Sequence, residues 1–234
     1  MSALDFYSSF DDEWDGDERN NLQWSEADWY DYLQRQDEEI ERFLAIYDRI
    51  DPEADRIDEA ARLMGWDEAS EDAFNSETIL LSISLIDREE QESKENLAPY
   101  TLHQHPVFII TRAFYRYLFR SWERLRHSYR DDKLWGVLGW QYAQSLSTWE
   151  RNTLLGLQAL DIGDFTLSIC QLKYALRAFN QTLHVLDKLP DIPNPEVLNL
   201  IHECRIRLFD LREIWLRVIN DCREEIRHQR DERD

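Results

Sequence analysis

Glycine and proline are scarce in this chain, with six of each among 234 residues. Sheets and tight hairpins draw on both residues at their turns, so their shortage predicts long helices joined by few connections. Long apolar runs are missing as well. The longest is Ile79–Ile86, interrupted by serines, against the ~20 residues a membrane-spanning helix requires. The opening stretch, MSALDFYSSFDDEWDGDE, has neither the basic nor the apolar region of a secretory signal, and a cytoplasmic protein without a membrane segment is expected. Cysteine is limited to Cys170, Cys204 and Cys222, each inside an apolar helical pattern. Cys204 and Cys222 fall on one predicted helix, about 27 Å of rise apart, and cannot pair. Three free, buried thiols in a reducing compartment are the expectation.

Charge of one sign is present in excess. The formal net charge is −21, and it is unevenly placed. Residues 1–99 hold 30 acids and 8 bases, whereas residues 100–234 hold 18 acids and 19 bases. Such acidity argues against general nucleic-acid binding or binding to anionic membranes by the intact chain, because phosphate repels it. It fits a basic protein partner. Hydrophobic residues make up 43% and aromatics 12%, enough to fold around a core.

The periodicity is helical throughout. Residues 1–24 form an acidic segment dotted with Phe6, Tyr7, Phe10, Trp14 and Trp24. Residues 25–98 form an acidic helical region expected to pack on the remainder. Within it Ser25 opens a helix with Asp28 in capping-box position, and Trp29, Leu33, Gln36, Ile40, Phe43, Tyr47 and Ile50 make one stripe. A short helix over 52–64, ended by Gly65, and a third starting at Ser76 follow. Residues 106–229 carry four long stripes: Pro106 to about Tyr129; a helix capped at Asp131 or Asp132 and running to Leu160; one from the Gly163-Asp164 turn to Leu189; and a last one from about 196 to 229. The expected fold is all-α, an up-down antiparallel helical bundle of these four helices plus the long N-terminal helix and short helices, all of it conceivable as one domain.

The most unusual local pattern is Arg112, Arg116, Arg120 and Arg124 at strict four-residue spacing, extended by Arg126 and Arg130, with Glu123 as the one acid of that helix. Guanidiniums stacked this way repel one another. Either the acidic half neutralises them, or the stripe is an anion-binding site for a phosphate-containing ligand, a nucleic acid or an acidic partner, with Tyr115, Phe119 and Trp122 beside it for stacking, or it is a solvated face.

Other constellations are weaker. His103 and His105 flank Gln104 before a proline, which suits capping or packing better than chelation. One Glu-x-x-His motif, Glu225 to His228, lies in the charged tail, so no di-metal site, no other metal and no cofactor are expected. An Arg followed by His with four to six residues between them marks one nuclease class of helical domains, the HEPN type. Arg120/His127, Arg177/His184 and Arg223/His228 meet that spacing, but with 23 Arg and six His chance supplies about two such pairs. Arg177 and His184 are the pair to test. No GxxxxGK(S/T), GxGxxG, GxSxG, HExxH or CxxC occurs. The reading is a non-enzymatic α-helical interaction module with a strongly acidic N-terminal half. The rivals are a HEPN-like nuclease or another enzyme acting on a phosphorylated substrate through the arginine stripe, and an acidic nucleic-acid mimic.

Overall fold

The computed structural model describes residues 24–51, 55–66, 102–128, 135–189 and 194–231. Of these, 90% are helical and none lies in a strand. The expectations for Phe6, Tyr7, Phe10 and Trp14, for the helix from Ser76 through Ile79–Ile86, and for a cap at Asp131 or Asp132 fall outside the described residues. The chain divides into two compact units, Met1–Asp37 and Glu38–Asp234.

Helix α1 spans Glu26–Tyr47, and its first turns belong to the first unit. Its start is closed as the spacing predicts. The Asp28 N–H donates to Ser25 Oγ (3.2 Å) and the Ser25 N–H donates to Asp28 Oδ2 (2.8 Å), a reciprocal capping box. Trp24, just before the cap, packs on Trp29 at 5.0 Å and on Tyr32 at 5.4 Å between ring centroids. That contact is a hydrophobic staple fixing the entry of the chain.

The second unit holds the rest of α1, then α2 (Arg56–Met64), a 3₁₀ turn (Leu102–Gln104), α3 (Pro106–Ser128), α4 (Trp135–Asp161), α5 (Phe165–Asp187) and α6 (Pro195–Asp231). Helix α2 starts at Arg56 rather than at Pro52, because the Asp55 side chain accepts the Asp58 N–H and caps it there. Gly163, at φ +76°, takes the left-handed conformation that other residues avoid. The Asp164 carboxylate then accepts the Leu167 N–H at 2.9 Å. The three-residue connection that results folds α5 back along α4. Helix α4 packs on α5, α5 on α6, and α3 on both α4 and α6. Four helices joined by short connections thereby close an antiparallel bundle.

The stripes lie where periodicity places them. Phe114, Leu118, Leu146, Trp149, Leu172, Phe179, Leu208, Leu211 and Trp215 are fully buried. Trp149 and Trp215 meet at 5.7 Å, and Phe179 lies edge-on to Trp215 at 6.1 Å. The core does not stop at the four helices. Phe43 and Tyr47 of α1 lie 5.8 and 5.0 Å from Phe114, and Ile40, Ile57 and Met64 belong to the same apolar cluster. Trp122 stacks on Tyr142 at 4.8 Å. A Cβ at residue 139 would come within 2.5 Å of that indole, so Gly139 is what lets α4 approach it.

Two expectations are corrected. Cys170 is exposed, whereas Cys204 and Cys222 are buried. Ile169 and Leu172 take the core-facing positions of α5, and Cys170 is rotated about 100° away from Ile169. Burial pushes the Cys204 and Cys222 thiols up to about 11, which keeps them protonated and unreactive. Trp29 and Leu33, although on the α1 stripe, are 38% and 45% exposed. Among the described residues no helix is long and apolar enough to cross a membrane.

Candidate functional site

The arginine stripe runs along α3. Arg112 donates to Glu150 of α4. Arg116 and Arg120 both reach Glu41 of α1, at 3.5 and 2.7 Å. Two carboxylates therefore take three guanidiniums, one supplied by the acidic half and one by α4. The Arg120 hydrogen bond, with the charges of Arg120 and Arg116, holds the Glu41 carboxyl below its usual range, against the opposing effect of burial. Glu150 behaves oppositely, because burial raises it despite Arg112. Arg124 and Arg126 are exposed. Tyr115 and Phe119 stack with ring centroids 6.0 Å apart, and Arg112 lies 5.9 Å from the Tyr115 centroid.

A second charged cluster, marked by no regular spacing of like residues, lies where α1, α2, α3 and α6 meet. Its centre is Arg207, 2% exposed. The guanidinium carbon sits 3.7 Å from the Tyr117 ring centroid and 5.0 Å from that of Tyr47. The guanidinium donates to Glu203 and to Asp48. Arg56, also buried, donates to Glu203 at 3.2 Å and lies 5.3 Å from the Tyr47 centroid. The Tyr47 hydroxyl donates to Asp210. Burial, and then the Asp210 carboxylate, push the Tyr47 phenol well above its usual value. Burial works to raise Glu203 as well, but Arg207 and Arg56 outweigh it and hold that carboxyl low. A planar cation between two aromatic faces, with carboxylates at its edge, combines the interactions that make arginine tolerable in an interior. Arg217 of α6 adds a pair with Asp58 of α2 at 3.0 Å. The sequence did carry a signal for this cluster. Arg207 stands three residues after Cys204 and four before Leu211, at a core-facing position of an apolar stripe.

The remaining candidates are dispersed. Arg177 and His184 are both exposed on α5, and Arg177 lies 5.2 Å from the Tyr174 ring centroid. Arg223 and His228 are exposed on α6. His103 packs edge-on to Phe108 at 4.9 Å. His105 caps α3, its Nδ1 accepting the Val107 N–H at 3.1 Å, and is 5% exposed. That bond leaves Nδ1 unable to ligate a metal. Among the described residues no group of three or more His, Cys, Asp or Glu is placed to hold one.

His105 gives the fold a pH dependence. Burial pushes its imidazole down to about 4 from 6.5. Between those values the unfolded chain binds a proton that the folded chain refuses, so stability present above pH 6.5 is lost as pH falls toward 4. Urea titrations at pH 7.5 and pH 5 are expected to differ by about 2 kcal/mol from this residue. In His105→Asn, a neutral residue that also caps helices well, the difference is expected to shrink. An unchanged pH slope in that variant would assign the effect to other groups.

No protein-family model, curated protein or solved structure matches the chain.

Proposed function

We propose that this chain is a non-enzymatic interaction module that presents acidic surface to a basic protein partner. One observation carries the reading: Glu41 and Glu150 take up Arg112, Arg116 and Arg120, so three of the four arginines of the stripe are paired within the fold. The acids that remain outward on α1 are Glu26, Asp28, Asp31, Asp37 and Glu38, all exposed. Three free thiols suit a reducing cytoplasm.

A second reading has support of its own. Arg120 is 58% exposed at its side chain and Arg124 is exposed one turn on. A phosphate-containing ligand would compete with Glu41 for them.

Immobilised heparin and labelled oligolysine separate the two. The intact protein is expected to pass heparin unretained near physiological salt and to bind oligolysine more weakly as salt rises. Glu41→Gln with Glu150→Gln is expected to uncover the stripe and bring heparin retention. Arg116→Gln with Arg120→Gln is expected to cost somewhat more than the about 0–1 kcal/mol of an exposed pair, because the Arg116 side chain is only 21% exposed whereas that of Arg120 is 58% exposed. Retention of the intact protein that this arginine pair abolishes would put a phosphate site in place of the interaction reading. Cleavage of single-stranded RNA by the intact protein, lost in His184→Ala, would overturn the non-enzymatic reading.

A further inference from the structure

The apolar stripe of α1 changes character along its length. Ile40, Phe43 and Tyr47 are at most 2% exposed, whereas Trp29 and Leu33 stand at 38% and 45% and Tyr30, beside them, at 70%. Tyr30 and Leu33 are three residues apart and Trp29 and Leu33 four, so the three side chains form one patch on the helix surface. A terminal helix turn tends to fray when nothing holds it. This one is held by the Ser25–Asp28 capping box and the Trp24–Trp29 staple. Such order lowers the entropy lost when a helix seats in a groove.

The charge around the patch has one sign. Glu26 lies one turn before Tyr30 and Asp37 one turn after Leu33, on the same side of the helix, with Asp28 and Asp31 further round; all four are exposed. The single base from Trp24 to Asp37 is Arg35, whose Nε donates to the Asp31 carbonyl at 3.4 Å. Nucleic acid and anionic bilayers are repelled by this arrangement. A groove that is apolar at its floor and lined with lysine or arginine at its rim matches it, with the aromatic anchors buried and the acids paired outside them.

We infer that the first turns of α1 are a docking helix for a protein partner with such a groove, and that Trp29, Tyr30 and Leu33 are its anchors. The inference rests on the acidic-surface reading above and adds the surface and the chemistry of its partner.

The test uses the full chain and two labelled probes, an amphipathic helical peptide of leucine and lysine and an oligolysine with the same number of lysines. The leucine-containing probe is expected to bind about tenfold more tightly. Trp29→Ala with Leu33→Ala leaves the charge unchanged and is expected to erase that margin while oligolysine binding persists. Tyr30→Ser is expected to erase part of it, with an unchanged thermal melting curve as the folding control. Equal binding of the two probes by the unaltered protein overturns the docking helix and leaves the acidic-surface reading standing. Failure to bind oligolysine at all overturns that reading itself. Two further results overturn the inference. A dimer seen in sedimentation that the double substitution dissociates makes a second copy the occupant. A marked fall in melting temperature makes the chain's own residues the cover.

Discussion

Replacing Arg207 by alanine is expected to lower the unfolding free energy by about 3–5 kcal/mol, the range for removing one partner of a buried ion pair. The loss has three sources. Glu203 is left with Arg56 alone, Asp48 loses its partner, and the Tyr47 and Tyr117 faces lose the plane stacked against them. Methionine separates charge from packing. It keeps a long flexible stem between the rings and removes the buried cation together with its desolvation cost. Asp48, 49% exposed at its side chain, can return to water. Arg207→Met is therefore expected to cost less than half as much as Arg207→Ala. Arg207→Lys keeps the charge but loses the planar fork, and is expected to fall between them. Urea denaturation of the three variants at neutral pH is the measurement. Methionine as damaging as alanine would show that the charge, not the stacked stem, holds α1 and α6 together.

Trp215→Ala is the second large effect, expected at about 3–5 kcal/mol. The indole is fully buried among Trp149 and Phe179, and the cavity would open at the centre of the bundle, where rigid rings collapse poorly. Phenylalanine at the same position tests how the indole contributes. The Nε1 atoms of Trp215 and Trp149 are buried without a hydrogen-bond partner, so Trp215→Phe sacrifices no bond and removes an unsatisfied donor. It is expected to cost about 1–2 kcal/mol, mostly from lost volume. Thermal unfolding of both variants decides the matter. A phenylalanine variant as unstable as the alanine one would mean that the indole N–H is satisfied after all.

Periodicity made the core faces legible, because each stripe repeats the geometry of its own helix. The Ser25–Asp28 box and the Gly163-Asp164 turn were legible for the same local reason: every group involved lies within a few residues. Periodicity names the buried face and not the neighbour. An acidic partner for the arginine stripe was foreseeable from charge, yet Glu41 lies 79 residues before Arg120 and several exposed acids of α1 offered equal claims. Glu150, from the half with balanced charge, carried no signal of its own. Arg207 stood at a core-facing position of an apolar stripe, which signalled burial, but nothing in that pattern named Tyr47 and Tyr117 as the rings it meets. Trp29 and Leu33 were placed on the right stripe, but how far along α1 the stripe stays covered depends on where its neighbours end.

The aromatic seam of Phe43, Tyr47 and Phe114 bears on how such a chain divides into inheritable parts. Composition changes abruptly near residue 99, and a reader of charge alone would draw a module boundary there. The packing ignores that line. Ring contacts at 5.0 and 5.8 Å and the hydrogen bond from Arg207 to Asp48 run straight across it. Recombination at the compositional seam would hand one descendant an uncovered Phe114 and the other an amphipathic helix with nothing to lie on. The acidic and the balanced halves are therefore obliged to travel together, and insertions or fusions that respect the fold belong before the start of α1 or beyond the end of α6.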